Sequence, residues 1–264
     1  MALKRVIVAA AMLVALGTSA PAAEPQDNLI QQIKDRGTLR VCEASYPPYN
    51  VKNPATGVWE GLDIDLVKEI AAALGVKVED VDSSFSTLIP SLQTHKCDMS
   101  AAATYVTPGR AEQVLFTTSY AGDSKTAFVP QGSTAKTYAD IDKAGTVIAV
   151  RAGTAEETYA KKFFKNAQIK SLTSDATQVH LLEVGAGRAD AAFAGYVGSL
   201  IFLKNNPNIK VRPLGDQPLD QSAFAFMVPL GEYHFQQYLD VVLASLERSG
   251  KLKEITEKWI SVPR

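Results

Sequence analysis

Gly57-Val-Trp59-Glu-Gly61-Leu-Asp63-Ile-Asp65-Leu66, then Leu88-Ile-Pro90-Ser-Leu92, then Thr107-Pro108-Gly-Arg110: in this order the chain reads as a loop, two helices and a strand, ending on an arginine in the first turn of a helix. A helix N-terminus offers unpaired N–H groups and a partial positive charge. An arginine there adds a planar pair of donors matched to a carboxylate. The run therefore predicts the anion end of a small-molecule site.

Working outward, helix and strand patterns alternate almost throughout. Leu29 to Arg36 reads as a helix stopped by Gly37, and Thr38 to Glu43 as a strand. Ser45 to Gly61 reads as a loop with a turn at Asn53 to Gly57. Leu66, Val67, Ile70, Ala71 and Leu74 form a helical stripe closed by Gly75. Val76 to Val81 and Met99 to Ala103 read as strands, with a helix between them capped by Ser86. Thr107 is expected to cap a short helix with Pro108 at its first position. The second half repeats the theme: strand Thr146 to Val150, turn Arg151 to Thr154, helix Glu156 to Phe164. A helix opened by Asp175 follows, then strand Ala189 to Phe193, helix Tyr196 to Asn205, strands Val211 to Leu214 and Ala223 to Val228, and helices Tyr233 to Ser249 and Lys251 to Ile260. Strands alternating with helices predict parallel α/β sheets, here in two domains.

The N-terminus reads as an export signal. Lys4 and Arg5 precede an apolar stretch, Val6 to Leu16, that is too short for a bilayer span, and Ala20-Pro21-Ala22 offers a cleavage site after residue 22. About 240 of the 264 residues then remain, enough for two domains of roughly 100–150 residues. The formal net charge of −1 leaves no basic footprint for nucleic acid. Cys42 and Cys97 could pair in an oxidising compartment. Yet Cys42 falls late in one strand and Cys97 just before another. Parallel neighbours would set them at opposite ends, beyond disulfide reach, so two buried free thiols are expected. No metal-type spacing of cysteine or histidine occurs, and no cofactor is expected.

Tyr46-Pro-Pro-Tyr49, Gly61-Leu-Asp-Ile-Asp-Leu66, Leu88-Ile-Pro-Ser-Leu92, Thr107-Pro-Gly-Arg110 and Ala186-Gly-Arg-Ala-Asp190 are each weak signals, but their order and spacing are specific. Over nearly the whole mature chain they resemble the family 3 extracytoplasmic solute-binding proteins of polar amino-acid ABC transporters. The resemblance implies an α/β, two-lobed periplasmic-binding-protein fold (type II), with two α/β domains joined by two hinge strands near Gly122–Ser124 and Ser222–Ala225. Residues 23–122 with 226–264 would form a discontinuous first lobe, and 123–225 the second. It further implies a monomeric periplasmic protein that closes on a small polar carboxylate or amino-acid-like ligand and delivers it to a membrane permease.

Ligands in open α/β sheets sit beyond the carboxyl ends of strands. Glu43, Tyr46, Ala103, Tyr105, Arg110, Arg151, Gly153, Thr154 and Gly195 all follow predicted strands in this sense. Arg110 is expected to clamp a carboxylate, and Tyr46 and Phe85 to wall the ligand's carbon chain, as the family implies. Tyr105 stands where relatives often carry serine or threonine; it would reach the ligand by its hydroxyl or narrow the cleft. Gly195 stands where amino-acid binders of the family usually carry an aspartate for the α-ammonium. A buried ammonium needs an anionic partner, so either Glu43 supplies it or the ligand lacks an ordinary α-ammonium. Arg151 either meets a second carboxylate or amide, or is solvent-exposed or paired with Glu156 or Glu157. Two arginines and one glutamate suit a dicarboxylate carrying an amine, including an opine-like conjugate.

Catalysis is not expected. His95, His180 and His234 match no metal or triad spacing, and Gly185-Ala-Gly187-Arg188 follows a helix instead of opening one. The alternative is an exported enzyme on the same scaffold, such as a cyclohexadienyl-dehydratase-like lyase with Glu43 as acid or base. A ligand sensor is a third class, without a visible signalling segment.

Overall fold

The computed structural model describes residues 28–174, 176–215 and 218–260. The signal segment and Asp175 lie outside them. In chain order the first lobe holds α1 (Leu29–Arg36), β1 (Thr38–Glu43), β2 (Val51–Lys52), β3 (Trp59–Glu60), α2 (Leu62–Leu74), β4 (Lys77–Asp82), α3 (Leu88–Gln93), β5 (Met99–Ala101), α4 (Pro108–Ala111) and β6 (Val114–Phe116). The second holds β7 (Ala121–Pro130), α5 (Tyr138–Ile141), β8 (Val147–Arg151), α6 (Ala155–Phe163), β9 (Gln168–Leu172), α7 (Val179–Gly185), β10 (Ala191–Gly195), α8 (Tyr196–Asn205), β11 (Val211–Pro213) and β12 (Leu219–Phe224). The chain then returns through β13 (Met227–Pro229), α9 (Tyr233–Arg248) and α10 (Lys251–Trp259).

The stop signals act as the sequence suggests: Gly37 and Gly75 take left-handed φ values of 74° and 75° and close α1 and α2. The capping side chains do not all follow. Thr107 precedes α4 without a side-chain cap, and the residue before α3 is Thr87, not Ser86. Residues 51–60, read as loop, pair as a small hairpin, and the expected strand from Ala223 to Val228 is split between β12 and β13.

The first sheet has the order β4-β1-β5-β13-β6 and the second β11-β7-β10-β8-β9, with β12 also on β7. β1 runs parallel to β4 and β5, and β8 runs parallel to β9 and β10. The first-lobe core is one cluster that takes in Ile33, Leu39, Leu66, Leu88 and Met99, together with Phe235, Leu239 and Leu243 from α9. Each such buried side chain contributes roughly 1.5–3 kcal/mol, which binds the returning helices to this lobe. The second sheet is covered on both faces by smaller clusters, one around Ile148, Val150 and Phe193 and one around Phe128, Leu181 and Val211.

The chain crosses between lobes twice, side by side. β7 and β12 pair antiparallel with Ser222 opposite Asp123, Ala223 opposite Gly122 and Phe224 opposite Ala121. Tyr120 N donates to Phe224 O at 3.2 Å and Thr117 N to Phe226 O at 3.0 Å. This two-strand joint is the only polypeptide link among the described residues.

The cysteines correct the sequence reading. Cys42 and Cys97 form a disulfide, with Cα atoms 5.6 Å apart. The register argument treated Cys97 as an extension of β5. Instead it lies in the turn after α3, where His95 takes a φ of 53° and the chain drops from the helix onto the sheet. Helix α3 packs on β1 and β5, which brings that turn over the end of β1.

Candidate functional site

The lobes meet where the predicted residues converge. Arg110 in α4 donates to Tyr105 O at 2.9 Å in its own lobe and to Gly153 O at 3.0 Å in the other. Arg151 ends β8 and donates to Ser45 O across the seam. Its guanidinium also lies 5.0 Å from the centre of the Phe85 ring, an arrangement worth roughly 0.5–2 kcal/mol. Ser45 and Thr177 hydroxyls lie 2.9 Å apart across the same seam. Within the second sequence reading for Arg151, neither solvent exposure nor the pair with Glu157 holds. The side chain is buried, and Glu157 instead accepts from Gly153 N, Lys161 and Ser171.

Tyr46 forms the floor. Its ring packs edge-on to Phe85 and Phe224 at 6.1 and 6.0 Å, and Tyr105 lies 4.6 Å from Phe224. The aromatic wall thus belongs to the first lobe and the hinge. Lys125, buried on β7, sets its ammonium 4.2 Å from the Tyr105 ring centre and donates to Ser222 Oγ at 2.7 Å.

Gly153 is required to be glycine. Its φ is 77°, and a Cβ there would meet Ser86 N at 2.5 Å; the bare backbone lets the second lobe rest on the first. Thr154 caps α6: its hydroxyl accepts from Glu157 N at 3.3 Å and donates to Arg151 O at 2.8 Å. Ala103 takes a left-handed φ of 45° and donates its N–H to Asp63 Oδ2 at 2.7 Å. Both residues sit at the seam with their polar groups already used inside the protein.

Two expectations change here. Glu43 stood as one of two answers to the absent aspartate, as a charged ammonium partner. It is fully buried at the end of β1, and burial, then the charges of Asp80 and Asp63, push its carboxyl up to about 9. The charges acting on it come from first-lobe acids, so at neutral pH Glu43 is a neutral buried acid. Gly195, for its part, has an ordinary φ of −62°. The obstacle to a side chain is space: a Cβ would lie 1.7 Å from the Tyr46 hydroxyl and 2.9 Å from Asp123 Oδ2.

Sequence reasoning passed over Asp123, Lys125 and Gln178, weighed His180 only for metal or triad spacing, and treated Glu156 only as a partner for Arg151. Asp123 lies in the hinge strand and accepts from Ser124 N at 2.7 Å and Val197 N at 3.0 Å, fixing the start of α8. Burial raises its carboxyl to about 6 against those bonds. Behind Tyr46, a small chamber is lined by Arg151, Thr154, Glu156, Gln178, His180 and Phe193. Larger cavities open on either side of the seam. One of about 510 Å³ lies by Ser45, Trp59, Asp82 and Arg151, and one of about 550 Å³ by Arg110, Lys125, Thr154 and Tyr159. No signal in a single sequence ties residues 123, 156, 178 and 195 together; only the hinge and the meeting of lobes do.

Two α/β lobes on a paired-strand joint, meeting along an aromatic and arginine-lined seam, define a cleft-type binding protein with a type II periplasmic-binding fold. The chain belongs to the bacterial extracellular solute-binding proteins, family 3, which it matches over residues 39–262. It is 29% identical to a putative ABC transporter arginine-binding protein of Escherichia coli, covering 97% of this chain and 99% of the relative. It is also 26% identical to a cyclohexadienyl dehydratase of Pseudomonas aeruginosa, covering 97% and 94%. Among solved structures, an ancestral arginine-binding protein bound to arginine superposes with a TM-score of 0.79 at 31% identity, over 86% of this chain and 99% of the other. An ancestral amino-acid-binding protein described as a precursor of cyclohexadienyl dehydratase gives 0.80 at 30%, over 88% and 99%.

Proposed function

We propose that this chain is the exported ligand-capturing component of an ABC importer. It takes an amino acid or amino-acid-like carboxylate into the cleft, closes on it, and presents the closed form to a membrane permease. The observation that carries this reading is Arg110: a guanidinium rooted in the first lobe, beside the hinge, whose donors reach backbone of both lobes at 2.9 and 3.0 Å. A ligand carboxylate beside it would bridge the lobes and favour closure through contacts made only in the closed form. Tyr46 and Phe85 would hold the carbon chain, with Tyr105 narrowing the cleft. Residues 23–122 with 226–264 form one lobe and 123–225 the other in this reading, after removal of residues 1–22. The protein acts as a periplasmic monomer without a cofactor.

The experiment is mass spectrometry of small molecules released on denaturing the purified protein, followed by calorimetry with the compound found. An amino acid or close derivative is expected; a released compound with neither carboxylate nor amine would sink the reading.

A second reading, an exported lyase, is favoured by one feature besides the dehydratase relative. Glu43 is a neutral acid at physiological pH, the state a general acid needs. Its neighbours Asp80 and Asp63 lie in the first lobe, and this weighs against contact with a ligand. Incubation with the dehydratase's substrate, with product followed by mass spectrometry, separates the two readings.

A further inference from the structure

A carboxylate at Arg110 leaves open what the rest of the ligand carries, and the cavities around that guanidinium narrow the choice. Two cavities open on it. One, of about 550 Å³, has Arg110, Lys125 and Lys162 in its wall, with Gln113, Thr158 and Tyr159 as neutral polar neighbours. Lys125 is only 3% exposed, so its charge is built into the wall and does not hang at the rim. The other cavity, of about 280 Å³, has Arg110 as its charged side chain, with Gln93, Gln113 and Thr104 beside it. The Thr104 hydroxyl is buried there without a hydrogen-bond partner. Among the described residues neither lining contains an acid.

The acids nearest the seam are committed elsewhere. Asp82 lines the cavity beside Arg151, where it accepts from Trp59 Nε1 at 3.0 Å and pairs with Lys52. Asp123 is held by backbone N–H groups of Ser124, Val197 and Gly198. Glu157 is held by Gly153 N, Lys161 and Ser171. Glu156 shares with the Arg151 guanidinium a space of about 10 Å³ behind Tyr46, no more than one water needs. Glu43 lines none of these cavities. At position 195 the Tyr46 hydroxyl fills the space a side chain would need.

An ammonium brought into this site would be buried beside cations with no acid to meet it, and that is costly. The neutral side chains in the two walls both donate and accept hydrogen bonds. They match an amide, a keto oxygen or a hydroxyl. We propose that the ligand of this cleft is an organic acid without a free α-ammonium: its carboxylate lies at Arg110, and an acylated nitrogen, a keto oxygen, a hydroxyl or plain hydrogen stands where an amino acid carries its amino group. This names the substrate class of the carboxylate-capturing reading above and rests on it.

The test is calorimetry of the dialysed wild-type protein with L-glutamate, L-glutamine and L-arginine, each beside its Nα-acetyl derivative and its deamino analogue. In at least one series the acetyl or deamino member should bind at least about tenfold more tightly than the parent amino acid. A smaller advantage in every series, or parents that bind more tightly, would overturn the assignment and leave the carboxylate reading intact. Binding by no member of the panel would overturn that reading and the assignment with it. The compound released on denaturing the purified protein gives a second check. It should carry a carboxylate and no free α-amino group; a released α-amino acid would overturn the assignment alone.

Discussion

The two lobes share an architecture but differ in the buried groups they hold. The first gathers its apolar side chains into one core, staples β1 to the turn after α3, and raises its buried acids: Glu43 to about 9 and Asp63 to about 7, each chiefly by burial. The second has no cysteine among its described residues, splits its core over two sheet faces, and holds His180 as a buried neutral base, pushed down to about 3 by burial and by Arg151. The first lobe is the half that carries the aromatic wall. The second is the half that brings backbone carbonyls, helix starts and a polar chamber to meet it. Closure joins the aromatic wall of one lobe to the backbone carbonyls and helix starts of the other.

The largest expected effect falls on the first lobe. The disulfide spans 55 residues, and a cross-link closing such a loop stabilises by about 4 kcal/mol in the chain-entropy account. Cys42→Ser with Cys97→Ser should lower the urea midpoint accordingly, with the first-lobe amides losing hydrogen-exchange protection first. Equal loss in both lobes would erase this part of the contrast.

The next concerns Glu43. Its folded value is raised, so the folded protein keeps a proton that the unfolded chain releases above its ordinary value of 4.5. The stability this group contributes is complete below pH 4.5 and is lost as pH rises towards 9. At pH 7 the penalty is roughly 3 kcal/mol. Glu43→Gln mimics the neutral acid and should raise the melting temperature at pH 8–9 while changing little at pH 4. A variant whose stability falls most at high pH would show that Glu43 is charged in the fold.

His180 carries the opposite sign. Its folded value lies below the ordinary 6.5, so the unfolded chain takes up the proton first. Its contribution is full above pH 6.5 and is lost as pH falls towards 3, by roughly 2 kcal/mol at pH 5. His180→Asn should flatten the acid limb of the stability curve, as read by chemical denaturation at pH 4, 5 and 7. An unchanged limb would mean that other groups set it.

Much of this was legible in the residues, and what was not has a common cause. Periodicity and punctuation located α1, α2, α8 and α9, because Gly37, Gly75 and the apolar stripes act locally. Arg110 was found because Pro108 announces a helix start. The disulfide was missed because a turn at His95 carries Cys97 off the line of its strand. A charged Glu43 stayed open as one alternative because a sequence does not reveal that it is buried with the charges of Asp80 and Asp63 acting on it. Gly195 was read as a missing carboxylate, when the hydroxyl of Tyr46, from the other lobe, occupies the space. These are all contacts between segments far apart in the chain.

The central claim is that Arg110 joins the two lobes through a bound carboxylate. Calorimetry of wild type and Arg110→Ala with the ligand recovered from the purified protein tests it most directly. The variant should fold, with circular dichroism unchanged, and lose roughly 2–5 kcal/mol of binding free energy. Unchanged affinity in a folded Arg110→Ala protein would contradict the account.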